Sequence, residues 1–155
     1  MKKITRILLL SILMFSLVAC GGSKKITGVG EKRSTAFLDF TIESIQVVDY
    51  YGEYEPMDGY KMVDIVIYTI NQMDQSIPMF VDDYYVFYNE EIYWAEYPYD
   101  DTMAPDSNTL EVGEDMKAHY IYIIPEEAME FELQFMEYFS DGTEGELHSI
   151  VIKLN

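Results

Sequence analysis

The sequence has almost no cysteine. Its one thiol, Cys20, follows an apolar run at the N-terminus, and the other 154 positions contain none. A single thiol cannot form an internal disulfide, and a modified Cys20 leaves no cysteine for a zinc site or a nucleophile. The folded part must therefore be stabilised by a hydrophobic core, for which a content of 49% apolar residues is sufficient.

Basic residues are also scarce. The chain has 10 Lys and Arg against 28 Asp and Glu, which gives a formal net charge of −18. Several of the bases stand near the N-terminus, and only Lys61, Lys117 and Lys153 follow residue 34. So acidic a body repels nucleic acid and anionic lipid headgroups, which excludes nucleic acid as a partner.

Catalytic motifs are missing as well. The sequence has no Gly-x-Ser-x-Gly elbow, no Ser-x-x-Lys and no glycine-rich phosphate loop, and its two histidines are His119 and His148. Two histidines alone do not make a zinc site. A Ser-His-Asp set is defined in space, so a small hydrolase stays open as the lowest-ranked alternative. We predict no catalytic residue, no cofactor and no enzymatic activity.

The N-terminal segment predicts export and lipidation. A basic head precedes thirteen apolar or small residues, 7–19, which as a helix of about 20 Å are too short for a hydrocarbon core of about 30 Å. The sequence LVAC at 17–20 resembles the lipobox of bacterial lipoproteins, in which the cysteine is acylated. We predict a signal peptide at 1–19, a lipidated Cys20 with a flexible tether at 20–33, and one domain at 34–155. The location that follows is the cell membrane, on the extracytoplasmic face.

The sequence pattern of the domain predicts β-strands almost throughout. Alternation at 129–139 predicts that Phe131, Leu133 and Phe135 lie in an inter-sheet core together with Ile65 or Val66. The apolar positions of 37–48 change face after Ile42, to Ile45 and Val47, which predicts a β-bulge. Asn89-Glu90 separates two short strands, and His148 opens the last one. Seven to eight strands with turn signals between them favour an antiparallel β-sandwich.

Single residues mark turns in this pattern. Gly113 stands where a hairpin needs a positive φ, Pro125 belongs at a strand end, and Asn71 can bond its own backbone and start a turn. The segments GVGEK (28–32), GYKMVDIVIYTIN (59–71) and LEVGEDMKAHYIYIIPEEAMEFELQF (110–135) resemble a group of bacterial lipoproteins of Gram-positive type. These carry one immunoglobulin-like domain of unknown function, related in fold to the mycobacterial immunoprotective antigens. The resemblance implies an immunoglobulin-like sandwich at the cell surface and no catalytic residues.

Two segments could carry a ligand. The loop-rich stretch 97–115 is dense in carboxylates, and hard cations need several oxygen ligands, so an irregular calcium site is a weak candidate. Its ligands would be Asp100, Asp101, Asp106 and Glu111. The alternative is a solvated acidic loop.

The second segment is aromatic. Eight aromatic residues fall between positions 84 and 99, and about half should face the core. Alternation sets Tyr93 and Tyr97 opposite to Trp94, and the size of Trp94 favours its burial. An exposed patch of Tyr93, Tyr97 and Tyr99 would then suit an envelope protein or a glycan.

These observations predict a non-enzymatic binding or accessory module, held at the membrane by its N-terminal lipid. The alternative is a small solute- or calcium-binding receptor domain, although such receptors usually close two lobes over the ligand. A pocket of several hundred cubic ångströms would favour the alternative, whereas a flat aromatic face would favour the accessory module.

Overall fold

The computed structural model describes residues 26–139 and 143–154, which form ten β-strands and one 3₁₀ turn. The strands are β1 (Lys32–Ser34), β2 (Leu38–Val48), β3 (Tyr60–Asn71), β4 (Ile77–Phe80), β5 (Tyr84–Tyr88), β6 (Glu91–Trp94), β7 (Ser107–Leu110), β8 (Asp115–Pro125), β9 (Glu130–Tyr138) and β10 (Glu144–Lys153). The 3₁₀ turn, Val81–Asp83, joins β4 to β5. No helix within the described ranges is long and apolar enough to cross a bilayer.

Two four-stranded antiparallel sheets form the sandwich. One has the order β1-β2-β3-β8 and the other β10-β9-β5-β6, while β4 and β7 pair with each other as a small third sheet. The antiparallel β-sandwich expected from the strand pattern is therefore confirmed. The structure has more strands than expected because β1, β4 and β7 are only three or four residues long, too short to show an alternating pattern.

The core lies between the two large sheets. Phe131, Leu133 and Phe135 are each at most 5% exposed and belong to one cluster with Ile65, as predicted. Val66, the alternative partner, is buried outside this cluster. Burying a side chain of this size contributes about 1.5–3 kcal/mol, so the cluster is the main source of stability.

Strand β2 contains the expected bulge. Its register against β3 shifts between Ile42 and Ser44, and Ile45 beyond the shift is buried in the core. The prediction for Val47 was wrong, since this side chain is 53% exposed. Strand β1 pairs with β2 only as far as Thr41, so β2 is an edge strand at Val47.

The predicted turns are present. Asn89 and Glu90 both have positive φ, 50° and 66°, and close the β5–β6 hairpin. Gly113 has a φ of 72° between β7 and β8, and Pro125 is the last residue of β8. The buried Asn71 accepts a hydrogen bond from the backbone N–H of Met73, which starts the turn after β3.

The ordered body begins before residue 34. Residues 32–34 are strand β1, Gly30 donates to the carbonyl of Ile42, and Thr27 pairs with Lys153. Through these backbone hydrogen bonds, part of the expected tether belongs to the sandwich. This segment is the outer neighbour of β2 in the first sheet. Cys20 and the expected signal peptide lie outside the described residues.

The last strand also begins earlier than expected. Strand β10 starts at Glu144, and an irregular register follows between Glu144 and Leu147. His148 therefore lies inside the strand, opposite Phe135, rather than at its start. The glycine and the charged residues at the start of this strand do not alternate with apolar residues, so the sequence pattern did not reveal where the strand begins.

Candidate functional site

Two adjoining grooves open at one end of the sandwich, where β2 begins and β9 ends. The first has a volume of about 610 Å³ and a mainly apolar wall. Three methionines and four phenylalanines contribute to it: Phe37, Met73, Met79, Phe80, Phe135, Met136 and Phe139. Its volume is in the range of small-molecule pockets.

The second groove is more open, has a volume of about 570 Å³, and combines aromatic rings with carboxylates. Its side chains include Phe80, Asp82, Asp83, Trp94, Tyr97, Asp106 and Tyr138. Phe80, Asp83 and Tyr138 line both grooves and form a wall that the two grooves share. We call the two grooves together the end cleft.

The 3₁₀ turn between β4 and β5 places the shared acid. The backbone N–H of Phe80 donates to Oδ2 of Asp83 at 2.7 Å, which fixes the side chain across the start of the turn. Burial raises the pKa of Asp83 to about 6, the Phe80 N–H counteracts this rise, and the charge of Asp82 adds to it. Asp83 thus titrates in a range where its charge state responds to a nearby ligand.

Trp94 does not face the core, contrary to the prediction from its size. Its side chain is 52% exposed, lies 5.3 Å from the ring of Tyr85 and lines the second groove. The reason is Ala95, which forms a β-bridge with Tyr122 and is 4% exposed. Ala95 takes the inward position beside Tyr122, and strand alternation then turns Trp94 outward.

The three tyrosines of the expected patch lie in different surroundings. Tyr93 packs against the core, and its hydroxyl donates to Glu91. Tyr97 is 62% exposed and lines the second groove. The ring of Tyr99 lies against Gly52, where a Cβ would come within 2.2 Å of Cδ1. Only Tyr97 belongs to the end cleft.

Three of the four carboxylates proposed for calcium have separate local partners. Asp100 accepts hydrogen bonds from the hydroxyl and the backbone N–H of Thr102, which lower its pKa. Asp106 accepts from the backbone of Ser107, and Glu111 accepts from the hydroxyl of Ser76. Across residues 26–139 and 143–154, no group of three or more His, Cys, Asp or Glu side chains is arranged to hold a metal ion. Asp101 has an exposed position in the same loop.

The basic residues of the described chain are all elsewhere. Lys32, Arg33, Lys117 and Lys153 form ion pairs with Asp39, Glu31, Glu43 and Glu130, and Lys61 donates to the carbonyl of Glu126. None of these five lines either groove. The carboxylates that line the end cleft therefore have no neutralising Lys or Arg side chain among the described residues.

Each histidine is held by a carboxylate. Nδ1 of His119 lies 2.9 Å from Asp64 on the outer face of the first sheet, beside the ring of Tyr51. Nε2 of His148 lies 2.9 Å from Glu137, which also accepts from the backbone of Ala36 at 2.6 Å. Both pairs fix strand positions, and neither lines the end cleft.

Sequence reasoning missed the residues that form the shared wall. Phe80, Asp83 and Tyr138 come from two distant segments, and only the packing of the 3₁₀ turn against the end of β9 brings them together. The available signal was the sequence MFVDDY at 79–84, in which two acids interrupt an otherwise apolar run. Such an interruption inside a core segment is unusual unless a turn exposes it.

The same fold occurs in solved structures of bacterial proteins. The ycdA protein of Bacillus subtilis, described as a candidate lipoprotein, has a TM-score of 0.66 at 10% identity over 79% of this chain. The chain spans only 38% of the length of ycdA. An uncharacterised β-sandwich protein of Clostridium difficile has a TM-score of 0.51 at 18% identity, covering 81% of this chain and 91% of its own. A functionally unknown protein of Listeria monocytogenes has a TM-score of 0.58 at 9% identity, covering 84% of this chain and 85% of its own.

These likenesses show a shared fold and nothing about activity, since the identities are low. No known protein family matches the chain, and no curated protein matches it.

Proposed function

We propose that this chain is a non-enzymatic binding module, held by a lipid on Cys20 at the outer face of the cytoplasmic membrane, and that its partner binds in the end cleft. The observation that carries the proposal is the cleft itself. Two adjoining grooves of about 610 and 570 Å³ present aromatic and apolar side chains to solvent at one end of the fold. A soluble domain seldom exposes such a surface unless something binds there.

The position of the cleft relative to the anchor supports this function. Strand β10 begins at Glu144, beside the cleft, and ends at Lys153, which pairs with Thr27 near the N-terminal side. Ten residues of strand at about 3.3 Å each separate these ends by roughly 30 Å. A lipid attached at Cys20 would therefore leave the cleft on the side facing away from the membrane. The structural likeness to a candidate lipoprotein agrees with such an anchor.

The anchor is tested by Cys20→Ser. We expect the variant to leave the membrane fraction, or to accumulate as an unprocessed precursor, because the acceptor of the lipid is missing. The measurement is fractionation of cells followed by mass spectrometry of the N-terminus. Unchanged membrane association with normal removal of the signal would refute the lipid anchor.

The cleft is tested with its own fluorophore. Trp94 is the single tryptophan of the chain and lines the second groove, so intrinsic fluorescence reports on occupancy. We expect solubilised envelope fractions to shift the Trp94 emission of residues 24–155. Phe80→Ala should abolish the shift, whereas Val112→Ala, an exposed apolar residue outside both grooves, should leave it unchanged. An emission that is unaffected by every fraction would contradict a binding role for the cleft.

A receptor for a small apolar solute is the second candidate. The size and apolar wall of the first groove favour it, although no second lobe closes over the groove within the described residues. Native mass spectrometry of the protein purified from its own cells would detect a retained solute. A retained small molecule that Phe139→Glu, a change at a more exposed position of the same groove, removes would favour this candidate over the accessory module.

A further inference from the structure

We propose that the end cleft binds a peptide segment in which a lysine or arginine stands next to large apolar side chains. This inference rests on the proposed function and specifies the chemistry of the partner. Charge, aromatic exposure and the shape of the two grooves support it as separate observations.

The first observation is unbalanced negative charge. Asp82, Asp83 and Asp106 lie around the second groove, and all five described Lys and Arg side chains are engaged elsewhere. Asp83 is partly buried beside the charge of the exposed Asp82, and a cation that enters the groove would relieve their mutual repulsion. The groove is therefore complementary to a positive group, and the net charge of −18 attracts such a group from a distance.

The second observation is the exposure of aromatic faces beside those carboxylates. Phe80, Trp94, Tyr97 and Tyr138 are between 49% and 64% exposed, and all four line the second groove. A guanidinium or ammonium group gains from contact with an aromatic face in addition to its attraction to carboxylate. Arginine can use both contacts at once, because its planar group stacks and hydrogen-bonds in different directions.

The third observation is the apolar groove across the shared wall. Met73, Met79 and Met136 line it together with phenylalanine rings. Methionine side chains are unbranched and adapt to differently shaped partners, as in other surfaces that bind peptides. This groove would accept leucine- or phenylalanine-like side chains on the segment next to the basic residue.

The joined shape favours a peptide over a small amine. Each groove is larger than one side chain, and Phe80, Asp83 and Tyr138 form the wall between them. Consecutive residues of one chain can cross this wall with a basic group on one side and apolar groups on the other. A small cation would occupy only the second groove and leave the first unfilled.

Binding of such a segment should depend on pH. A cation beside Asp83 favours its ionised form, so binding at low pH must first remove the proton that burial favours. The other titratable groups that face Asp83 are Asp82 on its own turn and the buried hydroxyls of Tyr84 and Tyr120. Asp106, the residue before β7, and Tyr138 at the end of β9 line the same groove. We therefore expect affinity to rise between pH 5 and about 7 and then to level off.

The test titrates residues 24–155, which contain every strand and core residue that the structure describes, with synthetic peptides and follows Trp94 fluorescence. The probe is acetyl-Gly-Leu-Phe-Lys-Arg-Leu-Phe-Gly-amide in 0.15 M NaCl. One control peptide replaces Lys-Arg with Gln-Gln, and a second replaces the Leu and Phe residues with Ser. We expect the probe to bind about tenfold more tightly than either control, the ratio expected for loss of one charge-assisted contact.

Matched variants separate the cleft from general charge attraction. Asp82→Asn with Asp106→Asn should weaken the probe about tenfold. Asp49→Asn with Glu55→Gln removes the same charge at exposed positions outside both grooves and should leave affinity unchanged within twofold. Equal losses in the two double variants would overturn the inference, because long-range attraction would then suffice.

The remaining outcomes distinguish the inference from the proposed function. Equal binding of the Gln-Gln peptide, still abolished by Phe80→Ala, would overturn the basic requirement and keep the binding role. If envelope fractions shift the Trp94 emission and none of the peptides does, the inference alone would be overturned. If neither the fractions nor the peptides shift the emission, both the inference and the proposed function would be overturned.

Discussion

The two ends of the sandwich differ in how their charged groups are paired. At the end where the N-terminal segment joins, Lys153 pairs with Glu130 at 2.9 Å, and Lys61 donates to the carbonyl of Glu126 at 3.0 Å. The buried Ala128 and Leu154 close that end, and the backbone of Leu154 donates to Met129. At the other end, the grooves stay open and their aspartates have no cation among the described residues.

A high density of carboxylates therefore does not by itself identify a binding site. Carboxylates occur at both ends, and at the closed end Glu130 forms an ion pair with Lys153. The same contrast is repeated beside the cleft, where Glu137 accepts from two backbone N–H groups and from His148. Asp83 accepts from the single N–H of Phe80. A carboxylate with few donors beside an apolar groove is available to a ligand, whereas one with several donors stabilises the fold.

The largest expected effect separates the core from the cleft. Phe131→Ala should lower the free energy of unfolding by about 3–5 kcal/mol, because it leaves a cavity between the sheets. Phe80→Ala should cost less than about 1 kcal/mol, since Phe80 is half exposed. Chemical denaturation of both variants measures the difference. Similar losses would show that the open end contributes to stability as the core does.

The next effect concerns the partnered carboxylate. Glu137→Gln should cost about 2–3 kcal/mol at neutral pH, because hydrogen bonds to a buried charge are lost. Burial alone would raise the pKa of Glu137, but the N–H groups of Ala36 and Glu146 and the imidazole of His148 hold it below its usual value. The stabilisation is present above the ordinary pKa near 4.5 and is lost as pH falls through the lower folded value.

Unfolding curves of the wild type and Glu137→Gln between pH 2.5 and 7 test this. The difference in the free energy of unfolding between the two proteins should be largest near pH 7 and should vanish at the acidic limit. A gap that does not change with pH would mean that the loss comes from packing rather than from the charge.

Asp83 should behave in the opposite sense. Its pKa is raised from 3.8 to about 6, so the protonated form is favoured in the fold. That stabilisation is present below pH 3.8 and is lost as pH rises through about 6. Asp83→Asn keeps an acceptor for the Phe80 N–H and should therefore be more stable than wild type by about 1–2 kcal/mol at pH 7.5, allowing for partial solvent exposure.

The same variant should match wild type at pH 3.5. The exposed Asp49→Asn serves as the control, with no change expected at either pH. A loss of stability in Asp83→Asn at pH 7.5 would place Asp83 with the partnered carboxylates. A gain would identify it as a residue kept in spite of its cost, as binding residues often are.

The smallest effect is that of salt. The acidic body should gain stability when NaCl rises from 0.01 to 0.1 M, as the Debye length falls from about 30 Å to about 10 Å. We expect melting curves in sodium, magnesium and calcium chloride at matched ionic strength to nearly coincide. A large, saturable rise in calcium alone, removed by chelator, would instead support a site built from Asp100, Asp101, Asp106 and Glu111.

Local patterns predicted much of the fold correctly. The bulge after Ile42, the turn at Asn89-Glu90 and the core face of Phe131 each depend on neighbouring residues in one or two strands. Errors arose where a second element decided the outcome. The exposed Val47 depends on where β1 ends, and the outward Trp94 depends on the contact of Ala95 with β8.

By itself, then, the sequence determined the sandwich, the composition of its core and a net charge of −18, because periodicity and composition are properties of the chain alone. It also contains the segment LVAC at 17–20, from which we predict lipidation of Cys20. Only the tertiary structure decided which acids are partnered and where the cleft lies. Asp83 and Tyr138 are 55 positions apart in the chain, and their shared wall exists because the 3₁₀ turn after β4 packs beside the end of β9.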